Sequence, residues 1–206
     1  GIWSLIIAIM CFYYVILAAI MEFFTFRLRN LHTGKLRMKF EYFALFLIHL
    51  FFASFVLGLA WFVLYMFDFS DIPQLQIFDI QFHAHSVGFG VAYYFGGLMC
   101  FYLLCFSLYE RYGYIPGIYK VFMVGFYVFY TFWVTLPYNF YGRIRYNMHL
   151  GRTLLDLYLL LIASIAIFPA NAIFYNRRKN SSDGFMRFRC TLVIFGFTVH
   201  WLFYLF

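Results

Sequence analysis

Six times along this chain the residues stay apolar for about 17 to 25 positions, and the polar residues gather in short clusters between those runs. The runs are approximately 2–24, 43–67, 84–108, 119–137, 153–175 and 190–206. About 20 apolar residues cross a bilayer as a helix. Open strands cannot satisfy their backbone in lipid, so each run is read as helical. The pattern predicts an all-α fold: a polytopic membrane helix bundle of about six transmembrane helices, forming a single domain over 1–206. The chain starts at Gly1 without a methionine and is apolar at once, which reads as a processed or partial version of a longer protein.

The third run is the one around which the others are expected to pack. Ala84, Gly88, Ala92 and Gly96 recur every fourth residue, on one face of a helix. Small residues at that spacing let a second helix approach closely, which is how membrane helices associate when lipid supplies no hydrophobic drive. Gly88 and Gly96 are therefore expected to touch a neighbouring helix. Pro169 falls inside the fifth run and predicts a kink there, while Pro137 is expected to end the fourth.

Composition confirms the solvent and charge gives the orientation. Hydrophobic residues make up 66% of the chain and charged residues 11%, where a soluble domain has about a quarter charged. Arg27, Arg29, Lys35, Arg37 and Lys39 follow the first run. Arg111 and Lys120 follow the third, and Arg177, Arg178, Lys179, Arg187 and Arg189 follow the fifth. These are twelve of the fifteen Lys and Arg. The connection after the second run has none and carries Asp68, Asp71 and Asp79; the one after the fourth holds Arg143, Arg145 and Arg152. The positive-inside rule then puts segments 25–40, 109–119 and 177–189 in the cytosol and the other two connections opposite. The net charge of +7 follows from this loop bias and implies no nucleic-acid partner. Four cysteines without CxxC spacing suggest neither a zinc site nor a disulfide framework.

Ionisable residues at membrane depth are costly, which makes them functional candidates. Asp79, His83 and His85 stand at the head of the third run. His149 and Asp156, seven apart, share one helical face at the head of the fifth. Charge alternation places both groups on the non-cytosolic side. Arg143, Arg145 and Arg152 nearby suit an anionic headgroup or phosphate. His83, His85, His149, Asp156, Arg143, Arg145 and Arg152 are accordingly the candidate lipid-binding residues. The bland reading is a hydrogen-bonded polar cluster at the rim of the bundle. His83 and His85 lie about 200° apart on a helix, and could share an ion only if that turn were extended. No metal is expected. A His–Asp pair can serve as a general base, but no Ser or Cys nucleophile is marked by spacing, so catalysis stays open. His49 and His200, isolated in the second and sixth runs, are expected to make hydrogen bonds between helices.

His85-Ser86-Val87-Gly88 with the aromatic run after it, and His149 followed by Asp156-Leu157-Tyr158, carry a resemblance. Over about 1–176 the layout resembles the family of post-GPI-attachment lipid-remodelling factors and damage-regulated autophagy modulators. It departs from that family in three ways. Here the family's first helix and the loop after it are missing, Asp stands for the usual Glu, and a further segment, 190–206, follows. The resemblance implies a membrane of the endoplasmic reticulum, Golgi or lysosome, and binding or assisted remodelling of GPI-type or phospholipids. Membrane lipids and other membrane subunits would be the partners, with no cofactor. A rival reading is a small anchor or accessory subunit of a mitochondrial respiratory complex. The order His149, Asp156, Tyr158 loosely resembles the haem-binding anchors of succinate dehydrogenase, and such a subunit would contact haem or quinone in the inner membrane.

Overall fold

A computed structural model describes residues 1–67, 74–77, 80–121, 123–125, 128 and 148–202, with side chains described from Gly88 onward in the third helix and from 160 onward in the next. The elements are α1 (Ile2–Leu31), α2 (Gly34–Met66), β1 (Gln74–Ile77), β2 (Ile80–His83), α3 (Ala84–Tyr112), α4 (Met148–Asn180) and α5 (Gly184–Leu202). The architecture is an α-helical bundle. Among the described residues, four helical stretches are long and apolar enough to cross a membrane: Ile2–Leu31, Gly34–Met66, Gly88–Tyr112 and Leu160–Asn180. The expected fourth run, 119–137, and the end expected at Pro137 lie largely or wholly outside the described residues. α5 covers most of the expected sixth, 190–206, and is not among those four; residues 203–206 lie outside the described ones.

The helices are longer than the apolar runs that predict them. α1 and α2 continue through Arg27–Lys39, and the turn between them is only His32 and Thr33, both extended, before Gly34 at φ +60°. Lys and Arg are good helix formers, so charge ends the apolar run without ending the helix. α3 runs to Tyr112 and stops where Gly113, at φ +72°, donates its N–H to the Tyr109 carbonyl at 2.8 Å. That left-handed residue closes the helix in the usual glycine manner, and Pro116 follows close behind. α4 continues through Pro169 to Asn180. α5 starts at a cap in which Asp183 Oδ1 accepts the Phe185 N–H at 3.0 Å.

Ahead of α3 the chain forms an antiparallel hairpin instead of a plain acidic loop, with Ile77 opposite Ile80 and Gln74 opposite His83. Gln74-Leu75-Gln76-Ile77 and Ile80-Gln81-Phe82-His83 each alternate in polarity, and that period of two was the available signal.

Neighbouring helices pack in chain order, α1 on α2, α2 on α3, α3 on α4 and α4 on α5. α3 is the most buried of the four spans, as the small-residue stripe predicts. At Gly88 a methyl group would lie 2.9 Å from Ala60 Cβ of α2, so here the backbones meet closely. Ala92 is buried in the same stripe. Gly96 is buried as well, but among the described residues no atom lies within 4 Å of where its Cβ would stand. α2 makes a second close approach through Gly58, where a Cβ would come to 3.2 Å from Cys11 Cβ of α1. The facing seam of α1 is Ala8, Cys11, Ala18 and Thr25, buried at spacings of three and seven.

The core joins Leu47 of α2, Met99, Cys100 and Leu103 of α3, and Ala163, Ala166, Ile167 and Ala170 of α4. α5 closes it with a ring of phenylalanines. Phe43 packs on Phe46, Phe46 on Phe197, Phe197 on Phe174, Phe174 on Phe106, and Phe106 back on Phe43, with centroids 5.2 to 6.4 Å apart. Aromatic pairs at such distances contribute about 0.5–1.5 kcal/mol each beyond their burial. Some of the chain's 32 phenylalanines thus pack inside the bundle, tying α2, α3, α4 and α5 together. Trp201 Nε1 donates to Ser164 Oγ at 2.8 Å and Asn171 Nδ2 to Thr198 Oγ1 at 3.2 Å, which fixes the antiparallel course of α4 and α5.

Candidate functional site

Three basic segments meet at one end of the bundle. One turn beyond the phenylalanine ring, Glu110 of α3 pairs with Lys39 of α2 and with Arg177 of α4. Lys35 reaches to within 3.7 Å of where a Gly113 side chain would begin. The Glu110 side chain is 9% exposed, so its carboxylate needs those two cations to stay charged there. Residues 35–39, 110–113 and 177 therefore share one end, as the alternation of charge requires. His32 stacks on Phe40 nearby in the chain, with ring centres 5.5 Å apart.

The same contacts fix how α3 and α4 run. Cys100 and Ala166 line one small cavity, Phe106 stacks on Phe174, and Glu110 pairs with Arg177. Each residue of α3 is thus level with the α4 residue about 67 places later, and the two helices are parallel. Their N-terminal turns therefore lie together at the end opposite Glu110. At a rise of about 1.5 Å per residue, His85 is level with about residue 152, about one turn along the axis from His149 on one side and from Asp156 on the other.

His83 closes β2 and His85 is the second residue of α3, so the change from extended to helical backbone falls between them. His149, Arg152 and Asp156 sit in the first three turns of α4. The side chains of all five, and of Ala84, lie outside the described ones. Asp79, Arg143 and Arg145 lie outside the described residues altogether. At the level of Cys100, Phe101, Leu104, Met123, Ile162, Ile165 and Ala166 the space between α3 and α4 is only about 10 Å³ and apolar. That is about the minimum for one water.

His49 differs from the expectation of a bond between helices. His49 Nδ1 donates to the Leu45 carbonyl of its own helix at 2.6 Å, and its ring packs on Tyr102 of α3 with centres 4.9 Å apart. His200 of α5 meets the edge of Tyr14 of α1 at 6.2 Å. Among the described residues no three His, Cys, Asp or Glu side chains gather as a metal site would need. The carboxylate cluster at Glu110 was missed because Glu110 looks, in sequence, like one polar residue in a tyrosine-rich turn. Its spacing from the apolar face of α3, four residues past Phe106, is the signal that could have found it.

Comparison of the chain with protein-family models, with characterised proteins and with solved structures finds no match.

Proposed function

We propose that this membrane protein handles lipids, binding them or assisting their remodelling, through polar residues at the end of the bundle opposite Glu110. The observation that supports this is the parallel course of α3 and α4, which brings the backbone of His85, His149 and Asp156 to similar height. On this reading the arginines Arg143, Arg145 and Arg152 hold the phosphate of a GPI-type or phospholipid headgroup by charge-assisted hydrogen bonds. The histidines and Asp156 then engage the headgroup's hydroxyls or ester oxygens, where a His–Asp pair can move a proton. The compartment is the lumen of an endomembrane.

The test is lipid retained by the protein purified in neutral detergent, measured by mass spectrometry beside the thermal midpoint. His149→Ala and Asp156→Asn are expected to lose bound phospholipid with little change in midpoint. A fall in midpoint with lipid content unchanged would mean a structural cluster, since a buried partner left unpaired costs about 1–3 kcal/mol. A Soret band in the purified protein that vanishes in His85→Ala would replace this reading with that of a haem-contacting anchor subunit.

A further inference from the structure

At the opposite end, the turn from α4 to α5 carries Arg177, Arg178, Lys179, Arg187 and Arg189 against a single acid, Asp183. Two of the five cations are already engaged. Arg177 pairs with Glu110, and Arg189 lies over the Phe185 ring at 4.2 Å. The other three, Arg178, Lys179 and Arg187, line an open recess of about 350 Å³ together with Tyr175. Asp183 is occupied in capping α5 through the Phe185 N–H, and among the described residues no carboxylate pairs with any of the three. Arg187 is held in place from one side, its Nε donating to the Ser181 carbonyl at 2.6 Å.

We propose that this recess binds the phosphate of an anionic phospholipid in the leaflet at the Glu110 end. Charge complementarity is the first argument: three uncompensated cations converge on one opening, and a phosphate with its neighbouring anionic group matches them. Position is the second. The recess sits where the apolar helix α4 gives way to its basic last turn; Tyr175 lines it, and Phe185, Met186 and Phe188, next to Arg187 in the chain, are exposed. Aromatic residues beside basic ones belong at the headgroup level of a bilayer, where the apolar side chains meet acyl chains and the cations meet phosphate. A soluble phosphate would use the cations and leave these apolar side chains without a role. This site is at the far end from the histidine-bearing turns, so it stands or falls independently of them.

The experiment titrates the whole protein in neutral detergent with phosphatidylserine or with phosphatidylcholine of the same acyl chains, counting bound lipid by native mass spectrometry. Phosphatidylserine is expected to bind at least tenfold more tightly. The combined variant R178Q/K179Q/R187Q should lose that preference, and K179Q alone should lose part of it should the combined variant misfold. The charge-matched control R27Q/R37Q/K120Q, basic residues outside the recess, should keep it. Equal binding of the two lipids would overturn the proposal, as would an equal loss in the control, which would mean diffuse attraction. Displacement of phosphatidylserine by inorganic phosphate at the same concentration would also overturn it, because the site would then serve a soluble anion.

Discussion

Replacing Gly88 by alanine puts a methyl carbon 2.9 Å from Ala60 Cβ, whereas the same replacement at Gly96, two turns along α3, meets nothing within 4 Å among the described residues. Carbon atoms pack best at about 3.5–4.0 Å, so at Gly88 the two helices must part by roughly 0.6–1.1 Å or the methyl must strain the contact. Overpacking of this kind costs about 1–3 kcal/mol. Against it, alanine is better than glycine inside a helix by about 1 kcal/mol, at both positions. Gly88→Ala should therefore range from neutral to about 2 kcal/mol destabilising, and Gly96→Ala should be stabilising by up to about 1 kcal/mol. The helix-propensity term is common to both, so the difference of about 1–3 kcal/mol reads the α2–α3 contact alone. Equilibrium unfolding in dodecylmaltoside with rising dodecyl sulfate, followed by circular dichroism, measures it. Ala60→Gly added to Gly88→Ala should recover most of the packing loss. If Gly88→Ala proves as stable as Gly96→Ala, the close approach does not exist and the reasoning from the small-residue stripe fails.

Three further outcomes are expected. Glu110→Gln keeps the shape of the side chain but leaves Lys39 and Arg177 facing each other without an anion, and should cost about 1–3 kcal/mol in the same unfolding assay; no loss would mean that solvent already screens the cluster. Ser164→Ala removes the acceptor of Trp201 Nε1 and should cost about 1 kcal/mol with a change in tryptophan emission, whereas unaltered emission would show that α5 is not seated there. The cysteines Cys11, Cys100, Cys105 and Cys190 are buried thiols, so a membrane-impermeant maleimide should report introduced ones. Thr33→Cys and Ser182→Cys should label from one side and Gln74→Cys from the other, and labelling of residues 33 and 74 from the same side would refute the topology.

The sequence by itself determined the class of fold, because apolar length and loop charge are local properties that lipid reads directly. It also marked Gly88, since a small-residue stripe declares its face without declaring its partner. What it could not decide was where the helices stop. The basic residues after the first run look like a loop, but the backbone of Arg27–Lys39 is helical except at His32 and Thr33. Polarity ends a membrane span; a helix ends where its backbone changes, as at the extended His32 or the left-handed Gly113. Nor could it separate Gly88 from Gly96, which share one stripe, although among the described residues only Gly88 has an α2 atom pressed against its Cβ position. The phenylalanine ring and the Glu110 cluster join residues far apart in the chain, and such contacts exist only once α2, α3, α4 and α5 are assembled. For the candidate site, the spacing of His149 and Asp156 was legible because both lie on one helix. That His85 shares their end was inferred from charge, and the physical reason came from tertiary structure: α3 and α4 run parallel, locked at the far end by one carboxylate between two cations.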